Sequence, residues 1–207
     1  MAKTSTKKRS TRKKNLAQIA VEAALRLAGN APWNEISLVD IAAESRISED
    51  DLRVLFPTKL SLLKTYSEQV NEQVAARGKS ISMEESMKDR LFEAVMIRLD
   101  VLGNNKDAVA NIMRATLRGN PKTILAGAGA LRRAMVQLLD LCGGSSGGLC
   151  GEVKLRALGL IYLGVLRVWL MDDTTDTAKT MAALDKALAR AEALIKSLPI
   201  SLPRGVQ

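Results

Sequence analysis

Apolar positions in this chain recur at intervals of three and four residues almost throughout, and nowhere alternate as they would in a strand. Leu16, Ile19, Ala20, Ala23, Ala24 and Leu27 share one helical face, and Gly29-Asn30 closes that segment. Ser37 with Asp40 three positions on has the form of a capping box and predicts a short helix through about residue 43. Ser48 and Asp51 repeat that spacing for a helix that reaches Phe56 and is stopped by Pro57. Thr58 can cap a longer helix carrying Leu62, Leu63, Tyr66, Val70 and Val74, ending near Gly78. Further helices are predicted over about 83–102, 106–118, 122–141 and 152–171. The last of these is apolar nearly all round, which implies burial on most sides. After Asp172-Asp173-Thr174-Thr175 a final helix shows the stripe Met181, Leu184, Leu188, Ala191, Ile195 and Leu198, with Pro199 and Pro203 beyond it. The run from Gly143 to Gly148 suits neither helix nor strand. The pattern predicts an all-α fold of about nine helices.

Composition narrows the function. With 207 residues, 47% of them hydrophobic, the chain can bury one sizeable core and a small satellite. It contains no histidine, which removes the commonest general base, pH switch and metal ligand together. No phosphate-cradling glycine loop and no activated nucleophile is evident, so neither an enzyme, a cofactor nor a metal is expected. Of the net charge of +9, Lys3, Lys7, Lys8, Arg9, Arg12, Lys13 and Lys14 supply +7, and residues 1–14 hold no acid. That segment, with nothing to bury, is predicted to be a disordered basic arm. Cys142 and Cys150 flank the glycine-serine run; behind a polar, charged start they read as free thiols in a reducing cytoplasm, although a disulfide is geometrically possible. Leu155 to Met171 approaches membrane-spanning length but contains Arg156 and Arg167, so a buried helix without stable membrane insertion is expected.

Two short capped helices joined by a three- or four-residue turn, with an amphipathic helix before them, describe a helix-turn-helix unit. The residues that carry it are Ile19 to Ala24, Ser37 to Ala42, Ile47-Ser48 and Phe56-Pro57-Thr58-Lys59-Leu60-Ser61-Leu62-Leu63. Over residues 15–66 these resemble the DNA-binding domain of the TetR family, most specifically in the Phe-Pro-x-Lys-x-x-Leu portion. The resemblance implies a domain plan: an arm over 1–14, a three-helix DNA-binding domain over 15–62, a helical ligand-binding and dimerisation domain over 63–198, and a tail over 199–207. It implies a ligand-responsive transcriptional regulator, expected as a repressor, that binds duplex DNA as a homodimer and answers to a small apolar or amphipathic effector. The DNA-facing residues would be Lys7, Lys8, Arg9, Arg12, Lys13, Lys14, Ser37, Arg46, Ser48, Glu49, Asp50, Arg53 and Lys59, with Lys59 matching the position that meets a phosphate. A solvated lysine and a solubilising tail are the plain alternatives for Lys59 and for the arm. This chain departs from the family in having Arg46 where the turn usually has Gly, Arg53 where the second helix usually has Tyr, and three acids, Glu49-Asp50-Asp51, in that helix's first turn.

The C-terminal half carries a second resemblance. Val168-Trp169-Leu170-Met171-Asp172-Asp173 followed by Lys179 to Asp185 is similar to the lipid-binding proteins of ubiquinone biosynthesis, which share the TetR fold. It implies an alternative, a non-enzymatic lipid or isoprenoid carrier. Pocket candidates on the body helices are Met96, Arg98, Arg114, Leu117, Tyr162, Leu166 and Trp169, with Met-rich apolar walls and arginines for an acidic group. For most of these core packing is the simpler reading. The last two helices are predicted to make a four-helix dimer interface through Leu160, Leu163, Met181, Leu184, Leu188, Ala191 and Ile195.

Overall fold

The computed structural model describes the backbone of residues 3–197 and the side chains of residues 14–197. The tail expected over 199–207, Leu198, and the side chains of Lys7, Lys8, Arg9, Arg12 and Lys13 lie outside the described residues. Among the described residues there are nine α-helices and no strand. They are α1 (Lys3–Asn30), α2 (Leu38–Ser45), α3 (Glu49–Leu55), α4 (Lys59–Arg77), α5 (Met87–Gly103), α6 (Lys106–Leu117), α7 (Pro121–Leu141), α8 (Gly148–Met171) and α9 (Ala178–Ser197). The starts follow the caps. Thr58 and Ser61 exchange side-chain-to-backbone hydrogen bonds ahead of α4. Ser86 and Asp89 fix the start of α5, four residues later than the sequence pattern suggested.

The disordered arm expected over 1–14 is not what the backbone shows, since α1 is helical from Lys3. Residues 3–14 contain no Gly or Pro and are rich in Lys and Arg, which are good helix formers. Once the buried half of α1 is in place, lengthening it needs only propagation, which is far less costly than nucleation.

The chain forms two compact units, residues 1–76 with 100–134 and residues 77–99 with 135–207. The first is larger than the expected domain over 15–62 because α6 packs against α1 as α2 does. Ala20, Ala23, Ala24 and Ala28 are at most 1% exposed, so much of the packed face of α1 consists of methyl groups, with Val21 and Leu25 buried beside them. Asn111 on α6 donates from Nδ2 to the Ala28 carbonyl at 2.7 Å, and Ala108 joins the cluster formed by Ile41, Leu52, Phe56 and Leu62.

In the second unit α8 and α9 pack as a pair. Val95, Leu99, Met135, Leu138 and Leu184 are essentially inaccessible there. The glycine-serine run is positioned, not slack: a Cβ on Gly151 would lie 2.4 Å from the Ser146 carbonyl, so the run folds back on the first turns of α8. The α8–α9 turn is organised by Asp172, a buried acid. Its Oδ1 accepts from Thr174 N (3.1 Å) and Oγ1 (2.5 Å), and its Oδ2 from Thr180 N (2.8 Å) and Oγ1 (2.7 Å). These bonds hold the β-branched Thr177 in the left-handed region, φ 53°.

The Thr174 and Thr180 hydroxyls, followed by their amides, hold the Asp172 carboxyl well below the ordinary carboxylate range. A folded-state pKa below the unfolded one stabilises the protein above the unfolded value, about 3.9, and that stabilisation fades as pH falls towards the folded value. Asp172→Ala should therefore lower the melting temperature at pH 7, and the gap between variant and parent should narrow below about pH 4. Calorimetric melts across pH 2.5–7 check this; an equal gap at every pH would mean that ionisation of Asp172 contributes nothing.

Candidate nucleic-acid interface

The unit formed by α1, α2 and α3 presents a short exposed helix on a rigid base. Ser37 Oγ accepts from Asp40 N at 3.1 Å, and Asp40 Oδ2 accepts from Ser37 N at 2.7 Å, a complete capping box. The Ser37 amide, followed by the Ser37 hydroxyl donating to Oδ2 at 2.7 Å, pulls the Asp40 carboxyl below its usual value. The link to α3 is tight because Arg46, at φ 55° and ψ 31°, closes α2 in a left-handed conformation and its amide reaches back to Ala42 and Ala43. Ser48 Oγ then accepts from Asp51 N at 3.2 Å to open α3. Leu52 on α3 is fully buried while Asp50, Asp51, Arg53 and Val54 are exposed.

The predicted contacts are distributed unevenly over this surface. Lys14, Ser37, Arg46, Ser48, Asp50 and Arg53 are exposed, and Glu49 is half-buried. The hydroxyls of Ser37 and Ser48 are engaged as caps, so their groups facing outward are partly committed. Arg53 and Glu49 form an i,i+4 ion pair that removes one free charge of each sign from α3. Val54 was absent from the sequence-based candidates, yet it is 77% exposed at the tip of this helix. Its signal was its position two residues from Leu52, off the face that Leu52 buries.

Lys59 is a correction. Its ammonium points inward and donates to the Trp33 carbonyl at 2.6 Å and to the Ile36 carbonyl, while lying 4.8 Å over the Trp33 ring. Burial pushes its pKa down, and Asp40 opposes that shift. A lysine spent on two carbonyls and an indole face ties the start of α4 to the α1–α2 connection and is not presented to a phosphate.

The other expectations divide between the units. Of the pocket candidates, Arg114 and Leu117 belong to the first unit, with Leu117 exposed, and the others to the second. Arg98, Tyr162, Leu166 and Trp169 are buried, with the Arg98 guanidinium 5.9 Å from the Tyr162 ring centroid, and Met96 is half-buried. Arg98, Tyr162, Leu166 and Trp169 thus pack in the core of the second unit. Among the dimer candidates, Leu184 and Leu188 are buried within the protomer because the stripe of α9 faces α8 of its own chain. Met181 and Ala191 are half-buried beside them, whereas Leu160, Leu163 and Ile195 are exposed. Helix α8 is thus buried on one side only, and Val153, Leu160 and Leu163 leave an apolar stripe on the other. Among the described residues no group of His, Cys, Asp or Glu is placed to hold a metal, and no helix is long and apolar enough to cross a membrane.

The chain matches no protein-family model and no curated protein. Its fold is that of solved TetR regulators. A TetR transcriptional regulator from Nitrosomonas europaea aligns over 86% of this chain and 99% of its own, at 20% identity and a TM-score of 0.69. One from Rhodococcus aligns over 89% and 98%, at 20% identity and a TM-score of 0.64. Thermus thermophilus FadR, a TetR-family repressor solved with lauroyl-CoA, aligns over 92% and 100%, at 16% identity and a TM-score of 0.55.

Two substitutions test the turn and the clamp. Arg46→Gly should raise stability by about 1 kcal/mol, since glycine adopts the left-handed conformation without the Cβ penalty. Lys59→Met should lower it by about 2 kcal/mol, the usual worth of charge-assisted hydrogen bonds. Urea midpoints measure both, and a Lys59 variant with the parental midpoint would return this side chain to the solvent.

Proposed function

We propose that this chain is a ligand-responsive transcriptional regulator of TetR type that binds duplex DNA through α3, acts as a repressor and works as a homodimer. The observation that carries the reading is the capped α2–turn–α3 pair, held rigidly by the alanine face of α1 on a fold shared with solved regulators. An α-helix with one face buried and its opposite face exposed at the end of such a unit has the size to enter the major groove. There Asp50 can accept from a cytosine amine, Arg53 can reach guanine if it leaves Glu49, and Val54 can pack on a thymine methyl. The neighbouring cations of the first half of α1 supply the phosphate attraction that α3 lacks. The FadR structure with lauroyl-CoA supports an amphipathic effector for this chain as well. The exposed stripe on α8 supports a second copy as the partner that covers it.

Fluorescence anisotropy against genomic duplex fragments tests DNA binding. Changing Lys7, Lys8, Lys13 and Lys14 to Gln should weaken binding and flatten log K against log salt by about 0.9 for each phosphate no longer neutralised. Glu49→Gln with Asp50→Asn should tighten non-specific binding, because both acids would lie within about a Debye length, 8–10 Å, of phosphates. Ser48 and Asp51 remain to cap the helix. Absence of binding to any fragment, with a lipid carried through purification, would overturn the reading in favour of a carrier.

Sedimentation separates the two apolar faces. Leu160→Glu with Leu163→Glu should give a folded monomer, whereas Leu184→Ala should cost about 2–5 kcal/mol of protomer stability. A parent chain that is monomeric at micromolar concentration would remove the dimer from the proposal.

A further inference from the structure

The first unit contains a cleft of about 760 Å³ walled by the first half of α4, by α6 and by the first half of α7. That volume lies within the roughly 300–1,000 Å³ typical of small-molecule sites. Its walls are mostly apolar, with Leu63 on α4, Ile112 on α6 and Leu125, Ala126 and Ala130 on α7. Leu60 and Leu125 stand at it with 43% and 74% of their surface in water. Small residues shape the α7 wall. A Cβ on Gly127 would lie 2.7 Å from Thr116 Cγ2, so α6 and α7 close on each other there and the space opens towards α4.

The charge of the cleft has one sign. Lys64, Lys122 and Arg133 line it and no carboxylate does. Lys64 has only a long surface pair with Glu68, at 3.9 Å. Lys122 and Arg133 make no ion pair with any described residue. Positions 122, 126, 129, 130 and 133 fall on one face of α7, so the two cations bracket the small residues. Eleven residues separate them, about 16 Å along the helix, and one head group therefore engages one of them while an alkyl chain runs along the floor between.

We propose that this cleft binds a single anionic amphiphile, a carboxylate or phosphate on a medium-length alkyl chain. The complementarity is direct: unpaired cations on the α7 wall, hydroxyls of Thr58, Ser61 and Thr123 along the lining, and exposed leucines that a chain would cover. Its regulatory consequence rests on the DNA-binding reading above. Helix α6 is fastened to α1 through Asn111 and the Ala28 carbonyl, and α4 is fastened to the α1–α2 connection through Lys59. A chain inserted between α4 and α6 pushes on both fastenings and so biases the seat of α2 and α3.

The test is calorimetric titration of the full-length, DNA-free protein with dodecanoate and dodecyl phosphate below their micelle concentrations. Dodecanol and dodecyltrimethylammonium serve as neutral and cationic controls. Both anions should bind at one site per chain, and the two controls at least tenfold more weakly. Either Lys122→Glu or Arg133→Glu, both exposed changes, should weaken the anions tenfold or more and so identify the head-group end. Ala130→Trp should abolish binding. Lys154→Glu with Lys196→Glu, at a second apolar cleft of about 350 Å³ in the other unit, should leave it unchanged. Absence of anion binding, equal binding of dodecanol, or survival of binding in both single reversals would overturn the proposal. So would a Leu125→Asp variant that loses self-association while the parent binds no anion, since a second copy would then cover the cleft. Release of DNA by dodecanoate is read separately by anisotropy. If the protein binds no DNA at all, the titration still decides the cleft and only its regulatory role falls.

Discussion

The alanine face of α1 is the constraint from which the first unit is built. Because Ala20, Ala23, Ala24 and Ala28 project nothing larger than a methyl, α2 and α6 both come close to α1. Larger side chains on this face would force one of these helices away, since a packed core absorbs extra methylenes poorly. The consequence is architectural. A helix distant in sequence, α6, becomes part of the core that supports α2 and α3. Under the proposed function, a ligand at α6 and DNA at α3 would meet the same packed body, and a shift in one set of side chains would reach the other without motion of a separate domain.

Charge is arranged around that body in two blocks. Residues 15–60 hold seven acids and four bases, and one of the four, Lys59, is turned inward. Three of the acids open α3, where they favour the helix dipole and Asp51 receives the Ser48 cap. The excess of cations instead lies in residues 3–14, which continue α1 as helix. Under the proposed function, an acid on α3 would penalise every site that offers no donor to it and so weaken non-specific binding more than specific binding.

Much of this was legible in the sequence, and the failures have a common cause. The starts of α2, α3 and α4 were readable because Ser37, Ser48 and Thr58 act through bonds to residues three positions away, which a linear pattern contains. The all-α fold followed from the period of the apolar positions. What the pattern lacks is direction. It shows that Leu184 and Leu188 share a stripe, but not whether that stripe faces α8 of the same chain or a second chain. It shows a cation at 59, but not that the Trp33 and Ile36 carbonyls lie within its reach. The cleft was hidden for the same reason, since its walls come from residues 58–67, 112–116 and 122–133 and only the 122/126/129/130/133 spacing on α7 hints at it.

The misassignment of the α9 stripe also explains what α8 does. A helix apolar nearly all round has more surface to bury than one partner can cover. Leu155, Leu158, Tyr162, Val165 and Trp169 point into the second unit, where α9 takes part of that area, and the opposite side keeps Val153, Leu160 and Leu163 in water. Arg156 and Arg167 lie on that exposed side too. Val153, Arg156, Leu160, Leu163 and Arg167 follow one another on a single face of α8, so the arginines interrupt the apolar stripe. The arginines that argued against a membrane span thus keep their charges in water on the side of α8 that its own protomer leaves uncovered.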